Sequence, residues 1–162
     1  AILSGGADYQ LTEKMKISGS FDVFFDKKVN WGNNIYGQAR TIDKNFVEWG
    51  LAAEYKLTKK FLVSAGYLNS NTGVSEQYQS DFSFSNDSYT AAVGFKWDVN
   101  ERLSLDAGMM VTTYKDFTKN FTKGDATFDA KNAALINSFG SYKETYGKDT
   151  FTLAFGIAYK IF

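Results

Sequence analysis

Asp8, Lys16, Asp22, Glu48, Glu54, Lys56, Lys96, Asp98, Asp106 and Lys160 are the residues whose types and spacing come nearest to chemistry. Each falls in the same phase of an alternating polar and apolar pattern, so extended strands would present all of them on one side. Glu48 with Glu54, or Asp98 with Asp106, would be the carboxylate pairs of a general acid–base site. The rest of the composition argues against that use. The chain has no Cys and no His, which excludes a Cys nucleophile, a zinc-thiolate centre and a His-based proton relay. Asp81 and Asp87, or Asp125 and Asp129, lack the spacing of a calcium loop. The sequence therefore points to no catalytic residue, no cofactor and no metal, and the chain is expected not to be an enzyme. Eighteen basic residues balance 18 acidic ones, which leaves no electrostatic case for nucleic acid. The charged series is expected either to line a passage or to neutralise itself across strands.

The elements that carry these residues repeat every second position. Phe151, Leu153, Phe155, Ile157, Tyr159 and Ile161 are in phase, and so are Tyr89, Ala91, Val93, Phe95, Trp97 and Val99. A helix would scatter such positions around its circumference. This pattern predicts seven strands, at 1–11, 15–27, 45–57, 61–71, 88–99, 102–117 and 150–162. An internal repeat joins them into hairpins. Gly6, Tyr9 and Leu11 have the spacing of Gly94, Trp97 and Val99, of Gly156, Tyr159 and Ile161, and of Ala52, Tyr55 and Leu57. Short polar turns follow at Thr12–Met15, Thr58–Phe61 and Asn100–Leu103. The opposite connections, 28–44, 72–87 and 118–149, are long and rich in Asn, Ser, Asp, Gly and Lys. Average usage would give about eight prolines in a chain of this size, yet there are none among 162 residues. Continuous strand ladders explain that, because proline donates no hydrogen bond.

Short turns on one rim and long loops on the other, with strands of ten or so residues, are the pattern of a transmembrane β-barrel. Mean hydropathy is −0.31, and no apolar run is long enough for a membrane helix. Aromatic residues collect at the ends of the apolar stripes. Tyr9, Tyr55, Trp97 and Tyr159 lie near the short turns, and Phe25, Tyr67, Tyr89, Phe117 and Phe151 near the long loops. These are the candidate membrane-interface residues, with outer-membrane lipid as the expected partner. The charged series becomes a candidate lumen lining, interrupted near the loop rim by Phe24, Leu68, Met110 and Tyr114. The loop aromatics Trp31, Tyr36, Tyr78, Phe82 and Phe84 would either gather a greasy ligand or pack the loops together. A soluble barrel would show the same alternation with the faces exchanged.

The hairpin motif from Gly5 to Ile17, with Tyr9, Leu11, Thr12 and Lys14, resembles the second half of long-chain fatty-acid transporters of the FadL type. The last strand, ending at Phe162, resembles the C-terminal signature of bacterial outer-membrane proteins, with Lys160 where that signature carries tyrosine. Seven strands would place the two ends of the chain on opposite rims, whereas bacterial barrels have an even strand number. The chain is therefore expected to be the C-terminal part of a longer all-β, antiparallel up-and-down barrel, of about fourteen strands as the resemblance implies, with Ala1 starting a processed or cut chain. Its partner would be the missing N-terminal half. A strand pair hidden within 118–149, at Ala126–Asp129 and Ser138–Tyr146, would preserve the odd count, whereas one extra strand would make eight and a self-contained small barrel. The resemblance implies passive uptake of hydrophobic small molecules, such as long-chain fatty acids, across a bacterial outer membrane. An adhesin, a subunit of a larger membrane complex and a general porin are the alternatives.

Overall fold

Three short turns set the register of the whole molecule. Each opens on a residue with a side-chain acceptor that ties down the two or three residues after it. Thr12 Oγ1 accepts from the backbone N–H groups of Lys14 and Met15 at 3.2 and 3.0 Å. Thr58 Oγ1 accepts from Lys60 N–H at 3.2 Å, and Asn100 Oδ1 from Arg102 and Leu103 at 2.9 and 3.0 Å. The third turn residue then joins one hairpin to the next. Lys56, Asp98 and Lys160 N–H donate to the carbonyls of Lys14, Lys60 and Arg102, each at 2.8 Å. The sequence repeat is thus a repeat of hydrogen bonds.

The computed structural model describes residues 1–33, 39–75, 78, 84–121 and 140–161. Its strands are β1 (Ile2–Gln10), β2 (Met15–Phe24), β3 (Phe46–Lys56), β4 (Phe61–Asn71), β5 (Ser88–Asp98), β6 (Leu103–Tyr114), β7 (Phe117–Phe121), β8 (Tyr142–Tyr146) and β9 (Asp149–Tyr159). Seven form one antiparallel sheet in the order β1-β2-β3-β4-β5-β6-β9. The sheet is open, with β1 and β9 each paired on one side only. β7 and β8 form a separate ribbon between β6 and β9.

The strand expected over 102–117 ends at Tyr114. One further rung in the β5–β6 register, Lys115 N–H to the Asp87 carbonyl at 2.8 Å, follows it, and Phe117 then opens the ribbon opposite Tyr146. Phe117 therefore belongs to the loop-side ribbon and not to the end of a sheet strand. A ribbon does occupy part of 118–149, but it is built from Phe117–Phe121 and Tyr142–Tyr146. The segment 126–129 and the start of 138–146 lie outside the described residues.

The loop rim is cross-linked. Ile42 bridges Val74, and Thr41 Oγ1 lies 2.8 Å from Ser75 Oγ. Asp43 and Lys44 N–H both donate to the Gly73 carbonyl, at 2.8 and 3.1 Å. Ile42, 7% exposed, is the one buried hydrophobic residue among those described. The sheet itself has no core, being a single layer.

Gly73 is held at φ +63°, and a Cβ there would lie 2.5 Å from the Lys44 carbonyl oxygen. Gly32 has a similar φ of +71° with nothing within 4 Å of its would-be Cβ. Both substitutions to Ala meet the left-handed conformation, but only Gly73→Ala also breaks the junction between two loops. In the intact protein Gly73→Ala is expected to cost about 1–3 kcal/mol and Gly32→Ala distinctly less. Denaturant titration checks the order, and trypsin cleavage after Lys44 should accelerate only in the first variant.

Candidate channel wall

Strand pairing turns the sequence pattern into rows across the sheet. On the polar face one row reads Ser4, Asp22, Glu48, Ser70, Ser88, Tyr114. The next reads Gly6, Ser20, Gly50, Leu68, Thr90, Thr112, Thr150, and the one below it Asp8, Ser18, Ala52, Gly66, Ala92, Met110, Thr152. Further toward the short turns come Lys16 beside Glu54, Lys96 beside Asp106, and Asp98 beside Ser104. Phe24 is in the uppermost row opposite Phe46, and Lys56 faces Leu62. Lys160 follows β9 at the turn rim. The pairing thus brings the charged series to one face, with Phe24, Leu68, Met110 and Tyr114.

These rows are not level with the apolar belts. Tyr9 on β1 is in register with Ile17 and Ala53, while Tyr55 lies two residues further along β3. Tyr55 is in register with Val63 and Phe95, and Trp97 lies two residues beyond Phe95. Trp97 is in register with Leu105 and Ile157, and Tyr159 lies two beyond Ile157. The belt therefore advances one residue for each strand crossed. About 3.3 Å along a strand for about 4.8 Å across gives a tilt of about 35° if the belt is horizontal. Transmembrane barrels tilt their strands by that amount.

A second level lies above the first. Tyr89 precedes Trp97 by eight residues on β5, and Phe151 precedes Tyr159 by eight on β9. Eight residues at about 3.3 Å, foreshortened by the tilt, span about 22 Å. The apolar band of an outer-membrane barrel is about 25 Å tall. Tyr67 does not reach this upper level. On β4 the lower level passes through Leu62, between the partners of Tyr55 and Trp97, and Tyr67 is only five residues further on. It packs instead against Trp49, ring centroids 5.6 Å apart. Between the two belts the apolar residues stand open: Val93 is 51% exposed, Phe155 80% and Ile157 77%.

The same levels sort the polar face into three zones. Near the lower belt the charges cluster, partly paired. Lys16 Nζ is 2.9 Å from Glu54 Oε2, and Lys96 Nζ is 3.6 Å from Asp98 Oδ1, which also accepts from Ser104 Oγ at 2.6 Å. At mid-height every strand presents only Gly, Ala or Ser, as at Gly6, Ser20, Ala52, Gly66, Gly94, Gly108 and Gly156. Above this smooth zone come Asp22 and Glu48, Leu68 and Met110. Glu48 Oε2 accepts from Ser70 Oγ at 2.7 Å. Glu48 and Glu54 do not assemble into an acid–base site, and Asp98 is engaged by Lys96 and Ser104. Glu48 and Glu54 are six residues apart along β3, about 20 Å, and bind different partners. Among the described residues no group of three or more carboxylates is placed to hold a metal.

A hollow of about 600 Å³ occupies this face, floored by Gly6, Gly50, Ala52, Gly66 and Ala92 and flanked by Asp8, Leu68, Thr90 and Met110. Behind it, on the apolar face of β1–β4, lies a groove over Ala7, Gly19, Ala53 and Ala65. The loop aromatics mostly pack loops. Phe84 lies against Tyr146, centroids 5.6 Å apart, and Arg40 covers Tyr78 at 4.3 Å. Trp31 Nε1 donates to the Asp26 carbonyl at 3.3 Å. Lys148 Nζ sits 4.3 Å above the Tyr114 ring. Tyr36 and Phe82, like Asp81, Asp125 and Asp129, lie outside the described residues.

No protein-family model matches the sequence, and no curated protein does. A solved structure does match. A FadL homologue from Pseudomonas aeruginosa superposes with a TM-score of 0.64 at 14% sequence identity, covering 96% of this chain. The fold is that of part of a FadL-type barrel. The chain spans 34% of the length of that relative, and an open sheet of this kind fits a C-terminal portion of such a barrel.

The small-residue zone and the hollow were not singled out in the sequence. Their signal is the alternate Gly, Ala and Ser at the middle of every strand, which becomes a zone only once the one-residue stagger is known. The Lys16–Glu54 pair is about one-third exposed on each side, so solvent screens it. A double-mutant cycle with Lys16→Met and Glu54→Gln in the intact protein should give a coupling of about 0.2–1 kcal/mol, measured by denaturant unfolding.

Proposed function

We propose that this chain is part of the wall of a bacterial outer-membrane channel for passive uptake of hydrophobic small molecules. The observation that carries the reading is the pair of aromatic levels, horizontal at a transmembrane tilt and separated by the height of an apolar band. The exposed side chains between them support a lipid-facing surface, since water contact would cost about 1.5–3 kcal/mol for each large apolar side chain. The FadL-type fold supports transport over catalysis. Long-chain fatty acids are the substrate class that the family resemblance implies. The open edges at β1 and β9 support completion by further strands of the same protein, because unpaired backbone groups in hydrocarbon cost several kcal/mol each.

The facing of the wall has a direct test. In the intact protein refolded into bilayers, Val93→Arg on the apolar face should cost about 2–4 kcal/mol near the midplane, and Ala92→Arg on the other face much less. The opposite order would indicate a soluble barrel. Transport is tested by cells whose outer membrane carries the intact protein, against cells lacking it. Labelled oleate should enter faster and labelled sucrose should not. Entry of sucrose alone would identify a general porin. Entry of neither, with a stoichiometric partner retained in mild detergent, would identify a surface-interaction barrel.

A further inference from the structure

Two kinds of side chain stand at one height, one at the upper end of the hollow and one just outside it. Leu68 and Met110, on β4 and β6, are the large apolar side chains of the polar-face rows that border the hollow. Asp22 and Glu48, directly opposite each other on β2 and β3, stand at the same level once the tilt is allowed for. No Lys or Arg occupies a polar-face strand position at or above that level among the described residues. The basic residues of this face lie near the short turns, where Lys16 and Lys96 are already engaged with carboxylates. Between the two zones the wall offers only Gly, Ala and Ser, without a charge to receive an anion.

We infer that this wall selects uncharged apolar molecules over carboxylates of the same chain length, with Asp22 and Glu48 as the specificity-determining residues. The inference rests on the transport reading and narrows its substrate class. A molecule seated against Leu68 and Met110 is largely desolvated on that side, which strengthens any charge interaction at its rim. An uncharged headgroup there can donate a hydrogen bond to Glu48 or Asp22. A carboxylate meets two like charges and, at the described strand positions of this face, no cation until it has crossed the smooth zone; above them Lys148 stands over the Tyr114 ring at the loop rim. Specificity arises here mainly from what the site rejects.

The experiment compares labelled oleyl alcohol with labelled oleate at pH 8, in cells carrying the intact protein, each as the increment over cells without it. The alcohol should enter faster by about tenfold or more, the scale of one unfavourable charge contact. The isosteric double variant Asp22→Asn, Glu48→Gln should close most of that gap by raising the oleate rate. Equal rates in the wild-type protein, faster entry of oleate, or an unaltered ratio in the double variant would each overturn the inference while leaving transport in place. Entry of neither compound would overturn the transport reading and this inference with it.

Discussion

A single-layered sheet has no interior. Each strand puts alternate side chains on opposite faces, and unless a second layer covers one of them, both faces must be solvated by their surroundings. In this chain the faces differ sharply. One carries aromatic and aliphatic residues left open to their surroundings; the other carries hydroxyls, small residues and charges. The lone buried hydrophobic residue among those described, Ile42, sits in a loop junction. On the proposed outer-membrane reading the molecule has to match two different solvents at once, and the backbone ladder is what makes that possible without a core.

The ladder also dictates where chemistry can sit. Because the register advances one residue per strand, groups that look distant along the chain come to the same height, and groups that look adjacent across a row do not. Asp8 shares a row with Met110 through five successive pairs, yet the tilt places Met110 well above it. The charges gather behind the lower aromatic belt, and the uncharged zone separates them from Asp22 and Glu48. The face thus divides along its height into three environments in sequence, each set by residue type and level.

Much of this was legible before any coordinates. Period-two alternation located the seven sheet strands, and the turns at Thr12, Thr58 and Asn100 could be read because their side chains perform the same capping act three times. The charged series fell on one face because alternation alone decides the face. Height was not legible. Tyr67 looks like a rim residue within its own strand and falls short of the rim only when β3 and β5 fix its level. The ribbon was expected too far along the loop, since Phe117 continues the apolar rhythm of β6 and only its pairing with Tyr146 of β8 takes it out of that strand. Contacts between loops, such as Gly73 with Lys44, depend on chain segments far apart and have no periodic signature.

The hollow and the groove lie back to back on β1–β4, with Gly6, Gly50, Ala52 and Gly66 on one side and Ala7, Gly19, Ala53 and Ala65 on the other. Bending a sheet compresses the side chains on its concave face, and bulky ones resist. Where both faces are this thin, the only stiffness left is that of the peptide planes and their hydrogen bonds. Glycine-rich lines of this kind are where sheets turn their tightest corners. The cross-section of the wall is thus freest to change its curvature at mid-height, and it can do so with every rung of the ladder intact.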